Sequence, residues 1–301
     1  MMKRLVVLAV IVQLVALVSV HDAAAQKGLK VFISVDMEGI AGIVTSDQVT
    51  AGGGGYERAR LWMTWEANAA IQGALDAGAT EILVNDSHGS MRNLLPDELN
   101  PAARLITGSP KPLSMMEGID ETIDAAIFIG YHARAGSADA VLDHTYSGGT
   151  VYSLRINGME VGESELMAII AGQFGVPVVM IAGDKTLGNQ VKSLLGKSLV
   201  TVEVKEGIGR NAASTLVPSE SQKKIRDGAT IALKKVKEIK PFKPAGPYKF
   251  EIDFLNSSQA EAAELIPGIE RTSPRSVRYI QTNFIDGFRL FRAIIELAKN
   301  S

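Results

Sequence analysis

The sequence predicts an α/β protein, with a mostly parallel central sheet flanked by helices and a smaller C-terminal α/β domain. Short apolar, β-branched segments alternate along the chain with longer segments of helical period, which is typical of parallel sheets covered by helices. The composition, 46% hydrophobic and 21% charged, is that of a folded globular protein. The length of 301 residues is enough for one large or two modest domains.

Residues 1–25 are predicted to form a secretory signal peptide. A basic start precedes an apolar run from Leu5 to Val20, and the small residues Ala23 and Ala25 follow it. The alternative is an uncleaved membrane anchor, but the run is shorter than the roughly 20 apolar residues of a spanning helix. We therefore expect an exported protein, periplasmic or secreted, with no membrane partner after the leader is cleaved.

Charge and cysteine content exclude several functions. The chain has 31 basic and 33 acidic residues, a formal net charge of −2, so nothing favours nucleic acid as a partner. Because the chain has no cysteine, disulfides and thiol chemistry are excluded. It has four histidines, and the three outside the predicted leader are His88, His132 and His144.

Residues 26–195 are predicted to form the catalytic, metal-binding α/β domain. Helical spacing predicts helices at Tyr56–Ala77 and Glu163–Gly175. The dipeptide Asn157-Gly158 predicts a hairpin turn, so at least one sheet edge should be antiparallel. The predicted strands are Leu29–Val35, Glu81–Val84, Arg104–Ile106, Ala126–Ile129, Val151–Ile156 and Val176–Ile181.

Residues 196–301 are predicted to form the smaller C-terminal α/β domain, although no long linker marks its boundary. A proline-rich connection at residues 240–247 divides its strands and helices into two parts. The predicted strands are Val200–Val204, Tyr248–Phe254 and Val277–Thr282, and the predicted helices are Ser219–Ile239, Ser257–Leu265 and Asp286–Lys299.

Two carboxylates follow the first predicted strand. Asp36 and Glu38 are two residues apart at its carboxyl end, so they point to the same side. Ligands of open α/β sheets bind at that end of the strands. A helix cap or a loop carboxylate is the structural alternative, but two adjacent carboxylates raise each other's pKa unless a cation lies between them.

Histidines follow two more predicted strands. His88 comes just after Glu81–Val84, and His132 comes just after Ala126–Ile129. A single histidine in such a place is commonly a hydrogen-bonded core residue. If the strands are neighbours, however, their ends lie about 5 to 10 Å apart, and the side chains can converge on one or two ions.

Two further candidates lie beyond these strands. Glu163 stands at a predicted helix start, where it can also complement the helix dipole. His144 lies in the loop before the predicted hairpin, and a surface histidine is its alternative interpretation. Imidazole and carboxylate ligands without thiolate suit zinc, and also manganese or cobalt. A pair of such ions activates water, which makes hydrolysis the natural chemistry.

The chain resembles the D-aminopeptidases, dinuclear-zinc metallopeptidases first known from bacterial dipeptide-transport operons. The resemblance covers essentially all of the chain after the predicted leader. It rests on five segments in order: Ser-Val-Asp36-Met-Glu38-Gly-Ile, Tyr56-Glu-Arg-Ala-Arg60, Val-Asn-Asp86-Ser-His88, Gly-Tyr-His132-Ala-Arg-Ala-Gly and Asn-Gly-Met-Glu-Val-Gly-Glu163.

The resemblance implies a site and an assembly that composition and spacing do not. It implies that two zinc ions per subunit are held by Asp36, Glu38, His88, His132 and Glu163, with Asp36 as the bridge. It implies that His144 is a catalytic residue and not a ligand. It also implies short peptide substrates with amino-terminal D-residues such as D-Ala, and a homo-oligomer in the form of a ring-like decamer.

Two other functions fit the same residues. One is a dinuclear metal hydrolase of a non-peptide amide, an ester or a phosphoester. No P-loop lysine follows the glycines at residues 52–55, so nothing favours the phosphoester version. The other is a non-catalytic exported protein that binds peptides or metal. The expected function remains a zinc-dependent aminopeptidase.

Overall fold

The computed structural model describes residues 28–301, and the predicted leader at residues 1–25 lies outside them. The strands are β1 (Leu29–Val35), β2 (Ala79–Asp86), β3 (Ala103–Ile106), β4 (Ala125–Tyr131), β5 (Val151–Ile156), β6 (Met159–Glu160), β7 (Val178–Asp184), β8 (Val200–Gly209), β9 (Ala212–Thr215), β10 (Tyr248–Phe254), β11 (Glu270–Ser273) and β12 (Ser276–Gln281). The α-helices are α1 (Ser46–Val49), α2 (Tyr56–Asp76), α3 (Glu163–Gln173), α4 (Lys185–Leu195), α5 (Pro218–Lys234), α6 (Ser257–Glu264) and α7 (Phe284–Ala298).

The central sheet has seven strands in the order β3-β2-β1-β4-β7-β8-β9. Its pairings are parallel except for the last, in which β9 runs antiparallel to β8. Strand β1 is buried on both faces. Val31 and Ile33 belong to the apolar core on one face of the sheet, and Phe32 belongs to the apolar core on the other face. The predicted class, a mostly parallel sheet flanked by helices, is confirmed.

Helices cover both faces of this sheet. On one face α2 packs against α5 so closely that a Cβ on Gly73 would lie 2.4 Å from the carbonyl oxygen of Arg226. On the other face α3 packs against β4 and also contacts α4 and α7. In residues 28–301 no helix combines the length and the apolar character needed to cross a membrane.

A second sheet is antiparallel, with five strands in the order β11-β12-β10-β5-β6. Its inner face carries aromatic side chains, and the rings of Phe250 and Tyr279 stack with centroids 4.8 Å apart. Helices α6 and α7 pack on this sheet, and α7 also contacts α3. Helix α7 therefore links the second sheet to the elements that surround the central one.

The expected boundary between residues 195 and 196 does not coincide with the division between the two sheets. Strand β8, beyond the boundary, pairs with β7 and extends the central sheet. Strand β5, before the boundary, pairs with β10 and belongs to the second sheet. The chain therefore crosses between the sheets more than once, after β4, after β6 and after β9.

The predicted hairpin is present, but it lies in the second sheet. Strands β5 and β6 are antiparallel, and the turn residues Asn157 and Gly158 have φ values of 52° and 81°. Two positive φ values are what a two-residue hairpin turn requires, and this explains the Asn-Gly pair. The strands and α-helices that the sequence did not predict are α1, α4, β9 and β11.

Candidate metal centre

The candidate site lies at the carboxyl edge of the central sheet. Strands β2, β1 and β4 are adjacent there. Asp36 and Glu38 follow β1, His88 follows β2 and His132 follows β4, so one sheet edge presents all four. Such edges are where ligands bind in parallel sheets. The predicted convergence of these side chains requires neighbouring strands, and β2, β1 and β4 are neighbours.

Two glycines allow the ends of β1 and β4 to meet backbone to backbone. Gly39 N donates to Gly130 O at 2.7 Å, and Asp36 N donates to Ile129 O at 2.8 Å. Gly130 has a φ of +72°, and a Cβ there would lie 2.1 Å from the carbonyl oxygen of Asp36. Because no side chain separates the two backbones, Asp36 can reach the histidine that follows β4.

Asp36, Glu38 and His88 form a first group of ligand atoms. His88 Nδ1 lies 3.3 Å from Asp36 Oδ1 and 3.0 Å from Glu38 Oε2. One ligand atom from each residue fits within a mutual distance of 4.8 Å. Both carboxylates are buried, so their charges are costly without a cation.

His132, His144 and Glu163 form a second group. Glu163 Oε1 lies 3.3 Å from His132 Nε2 and 3.4 Å from His144 Nε2, and the two imidazole rings stack with centroids 4.1 Å apart. Asp36 Oδ2 lies 3.5 Å from His132 Nε2. One oxygen of Asp36 thus faces each group. The structure therefore brings together all six of the predicted site residues.

Each histidine has one ring nitrogen engaged by a backbone carbonyl. His88 Nε2 donates to Val49 O at 2.7 Å, where α1 ends. His132 Nδ1 donates to Ala133 O at 3.0 Å, and His144 Nδ1 donates to Leu142 O at 2.9 Å. A carbonyl accepts only, so the opposite nitrogen of each ring is the one that faces the carboxylates and would supply its lone pair to a metal ion. Metal-ligating histidines are oriented in this way.

The donor set fits a divalent cation. Within residues 28–301, Asp36 Oδ2, Glu38 Oε2 and His132 Nε2 are buried without a hydrogen-bond partner. Glu38 Oε2 is 3.0 Å from His88 Nδ1, but the approach lacks hydrogen-bond geometry. Buried polar atoms without partners are rare in native proteins and require an explanation. Here the three atoms converge on one centre, as ligands of metal ions do.

The charges at this centre shift the pKa values strongly. Burial and the charge of Glu38 raise the pKa of Asp36 to about 7. Burial alone would lower the pKa of His132, but the carboxylates, Glu163 first, raise it to about 10. Burial and the charge of His132 lower the pKa of His144, which therefore favours its neutral form. Perturbation of this kind is typical of functional sites.

A buried lysine and a buried glutamate hold the loop that carries Glu38. Lys205, on β8, donates to the carbonyl oxygens of Glu38, Ile40 and Ile43, at 2.9 Å and 2.6 Å for the last two. Glu66, on α2, accepts from Ala41 N at 3.0 Å. Burial lowers the pKa of Lys205 to about 8 and raises that of Glu66 to about 7.

The turn that carries His88 is held by Asp86 and Asn93. Asp86 Oδ2 accepts from Leu94 N at 2.7 Å, and Asp86 Oδ1 accepts from Asn93 Nδ2 at 2.8 Å. Asn93 Nδ2 also donates to His88 O at 2.6 Å. Asp86, at the end of β2, and Asn93 thus fix the backbone from which His88 projects.

The loop that carries His144 is held by the β8–β9 hairpin. Arg210 donates to the carbonyl oxygen and the carboxylate of Asp143, and Leu142 N donates to Arg210 O at 2.9 Å. Arg210, Lys205 and Glu66 were not predicted from the sequence. Nothing in their local sequence distinguishes them from surface charges, because each acts on a loop far away in the chain.

The fold and the centre together define a class, a metal-dependent hydrolase built on a parallel sheet. The family model for D-aminopeptidases matches residues 29–293, and this chain belongs to that family. A D-aminopeptidase of Bacillus subtilis (strain 168) is 40% identical over 271 residues, covering 90% of this chain and 98% of the relative. A solved structure also matches: the Zn-dependent D-aminopeptidase DppA from Bacillus subtilis, described as a self-compartmentalizing protease. The TM-score is 0.88 and the sequence identity is 39%, and the match covers 91% of this chain and 99% of that one.

Proposed function

We propose that this protein is a metal-dependent aminopeptidase that hydrolyses short peptides, with amino-terminal D-residues such as D-Ala preferred. The observation that carries the proposal is the pair of buried ligand groups that share Asp36. Membership of the D-aminopeptidase family supports it. The cavity beside the ligands is about 190 Å³, below the roughly 300 Å³ of ordinary small-molecule pockets, and favours short substrates.

The proposed cofactor is two zinc ions per subunit. Asp36, Glu38, His88, His132 and Glu163 would hold them, with Asp36 between the two. The oxygen and nitrogen donors also suit manganese or cobalt. When bound, such ions polarise a carbonyl and bring the pKa of a bound water towards about 7.

His144 is proposed to transfer protons. Its side chain is 20% exposed, against 1% for His132, and it lines the cavity whereas His132 does not. Its Nδ1 is committed to Leu142 O, so Nε2 is the atom that accepts a proton. In the proposed reaction Nε2 takes a proton from the attacking water and delivers it to the leaving amine nitrogen.

The test is turnover of D-Ala-D-Ala and L-Ala-L-Ala by purified, zinc-loaded protein. We expect faster cleavage of the D-dipeptide, loss of activity after chelation, and recovery on adding zinc. Turnover that survives complete metal removal would overturn the proposal, as would an absence of turnover on every peptide. Ester or phosphoester turnover far above peptidase turnover would favour the other hydrolase, and bound metal without any turnover would favour a binding protein.

We further propose that the chain assembles into a homo-oligomer, in the form of a ring-like decamer. The description of the solved relative as self-compartmentalizing supports assembly. Light scattering of the purified protein gives the mass directly. A mass of ten subunits is expected, and a monomer would overturn the proposal.

Export is proposed from residues 1–25, with cleavage between Ala25 and Gln26. Mass spectrometry of protein recovered from the periplasm or the medium should find Gln26 at the amino terminus. Retention of the whole chain in the cytoplasm would overturn this proposal.

A further inference from the structure

One face of helix α7 contributes charged side chains to the cavity. Arg292, Glu296 and Lys299 line it, and they are four and three residues apart, which places them on the same side of the helix. Asp36 and Glu163 line the same cavity. The cavity therefore has anionic ligand groups in one part and helix cations in another.

The two cations differ in their partners. Lys299 Nζ lies 2.9 Å from Glu296 Oε1, so its charge is paired within the helix. Arg292 forms no ion pair with any carboxylate of residues 28–301. Its Nη1 donates to the carbonyl oxygens of Lys111 and Pro112, the latter at 3.0 Å. These bonds fix the guanidinium through Nη1, and the Tyr146 phenol also lies within its hydrogen-bonding reach, which leaves part of its five N–H donors for a ligand.

Tyr146 shows how far Arg292 is from the ligand groups. Its backbone nitrogen donates to Glu163 Oε1 at 2.7 Å, and its phenol donates to Ser114 Oγ at 3.1 Å. The charge of Arg292 acts on the same phenol, partly opposing the rise in pKa that burial causes. Glu163 and Arg292 therefore lie at the two ends of one tyrosine. In a dipeptide one residue of extended chain, about 3.5 Å, separates the peptide bond from the free carboxylate. A polar contact of about 2.8 Å at each end supplies the rest of the length.

We propose that Arg292 binds the free carboxylate of a dipeptide substrate whose peptide bond lies at the ligand groups. A planar guanidinium pairs with a carboxylate through two parallel hydrogen bonds. The inference rests on the proposed aminopeptidase function and narrows its substrate class. Dipeptides with a free carboxylate are favoured over dipeptide amides, which offer no negative charge to Arg292.

The experiment compares D-Ala-D-Ala with D-Ala-D-Ala amide on zinc-loaded protein. The wild type should have a kcat/KM at least about tenfold higher for the acid, mainly through a lower KM, as expected for a charge-assisted pair. Arg292→Gln should lose about tenfold or more on the acid and stay within about threefold on the amide. Arg292→Lys should recover part of the preference for the acid, because lysine keeps the positive charge but lacks the two parallel N–H donors of the guanidinium.

Arg289→Gln is the matched control. Arg289 lies one turn earlier on α7 and pairs with Asp286 at 3.5 Å, outside the cavity lining. Arg289→Gln should leave the acid-to-amide ratio unchanged.

Equal turnover of acid and amide by the wild type would overturn the inference, even if Arg292→Gln fails to fold. Equal losses on both substrates in Arg292→Gln would also overturn it and assign Arg292 a structural role. If the wild type cleaves the amide but shows no preference, the aminopeptidase proposal survives alone; if it cleaves neither, both fail.

Discussion

The two ligand groups of the centre are built from different kinds of structure. Asp36, Glu38 and His88 come from the ends of two paired parallel strands, β1 and β2. His132, His144 and Glu163 come from one strand end, an irregular loop and a helix start. The spacing of paired strands sets the geometry of the first group. The geometry of the second group depends on how the chain runs from β4 in the central sheet, through β5 and β6 in the second sheet, to the start of α3.

The supports of the two groups differ as well. The first is held by buried charges, since Lys205 and Glu66 bind the loop that carries Glu38. The second is held at its loop by Arg210, which is half exposed and contacts Asp143. Buried polar networks are costly to disturb, whereas exposed pairs contribute little. The first group should therefore be the more sensitive to changes in its surroundings.

The largest effect is expected at Asp36, which the two groups share. Asp36→Ala should reduce the zinc content from the proposed two ions per subunit to none and the activity to background, because one Asp36 oxygen faces each group. Elemental analysis of purified protein measures the content. His88→Ala and His132→Ala should each lose about one ion, from the first and the second group respectively.

Asp124→Asn is the control for this substitution. Asp124 precedes β4, at the opposite edge of the central sheet, and its side-chain oxygen accepts from Lys30 N at 2.8 Å, a role that asparagine keeps. Its metal content should match the wild type. Unchanged zinc in Asp36→Ala would refute the sharing of Asp36.

The next largest effect is expected at His144, and it tests whether this residue of the second group is a catalytic residue or a metal ligand. His144→Ala should lower kcat by about 10²- to 10⁴-fold, the usual contribution of general acid–base catalysis, and keep two ions. Kinetics and elemental analysis on the same preparation decide the matter. Loss of one ion would instead make His144 a ligand, which its position within 4.8 Å of the other two residues permits.

A smaller effect is expected from the buried support of the first group. Lys205→Met should weaken one of the two zinc sites by about 10- to 100-fold and leave the other within about twofold, as changes beside metal ligands do. Titration against a competing chelator resolves the two affinities. Lys185→Met, an exposed lysine paired with Glu206 at 2.8 Å, is the control. Equal weakening of both sites would contradict the assignment of Lys205 to the loop of Glu38.

The smallest effect is expected at the exposed support of the second group. Arg210→Ala frees Asp143 and loosens the loop of His144, so kcat should fall by less than about tenfold with both ions retained. Steady-state kinetics and metal analysis measure this. A loss as large as that of Lys205→Met in metal affinity would show that the two supports are equivalent.

Part of the centre was predictable from the residues alone. Asp36, Glu38, His88 and His132 each follow an apolar, β-branched segment, and strand ends of one parallel sheet meet at one edge. Glu163 and His144 were candidates from their places at a helix start and in a loop, but their roles came only from the family resemblance. The sequence of a helix start or of an irregular loop does not indicate which edge of the central sheet it lies against.

The supporting residues were not predictable. Lys205 acts on carbonyl groups 162 to 167 residues away in sequence. A lysine in a strand looks the same in sequence whether it faces water or loop carbonyls. Arg292 is likewise one of several charged residues on an amphipathic helix until α7 is placed beside the cavity.

By itself, the sequence determined the period and burial of each segment, the types of ligand and their places at strand ends. These are local properties, set by apolar spacing and by backbone conformation, as at Asn157-Gly158. Only the tertiary structure decided that β8 pairs with β7 and that β5 pairs with β10, across the expected boundary. Strand pairing depends on which edges the packed helices leave open, and that is settled by contacts between distant parts of the chain.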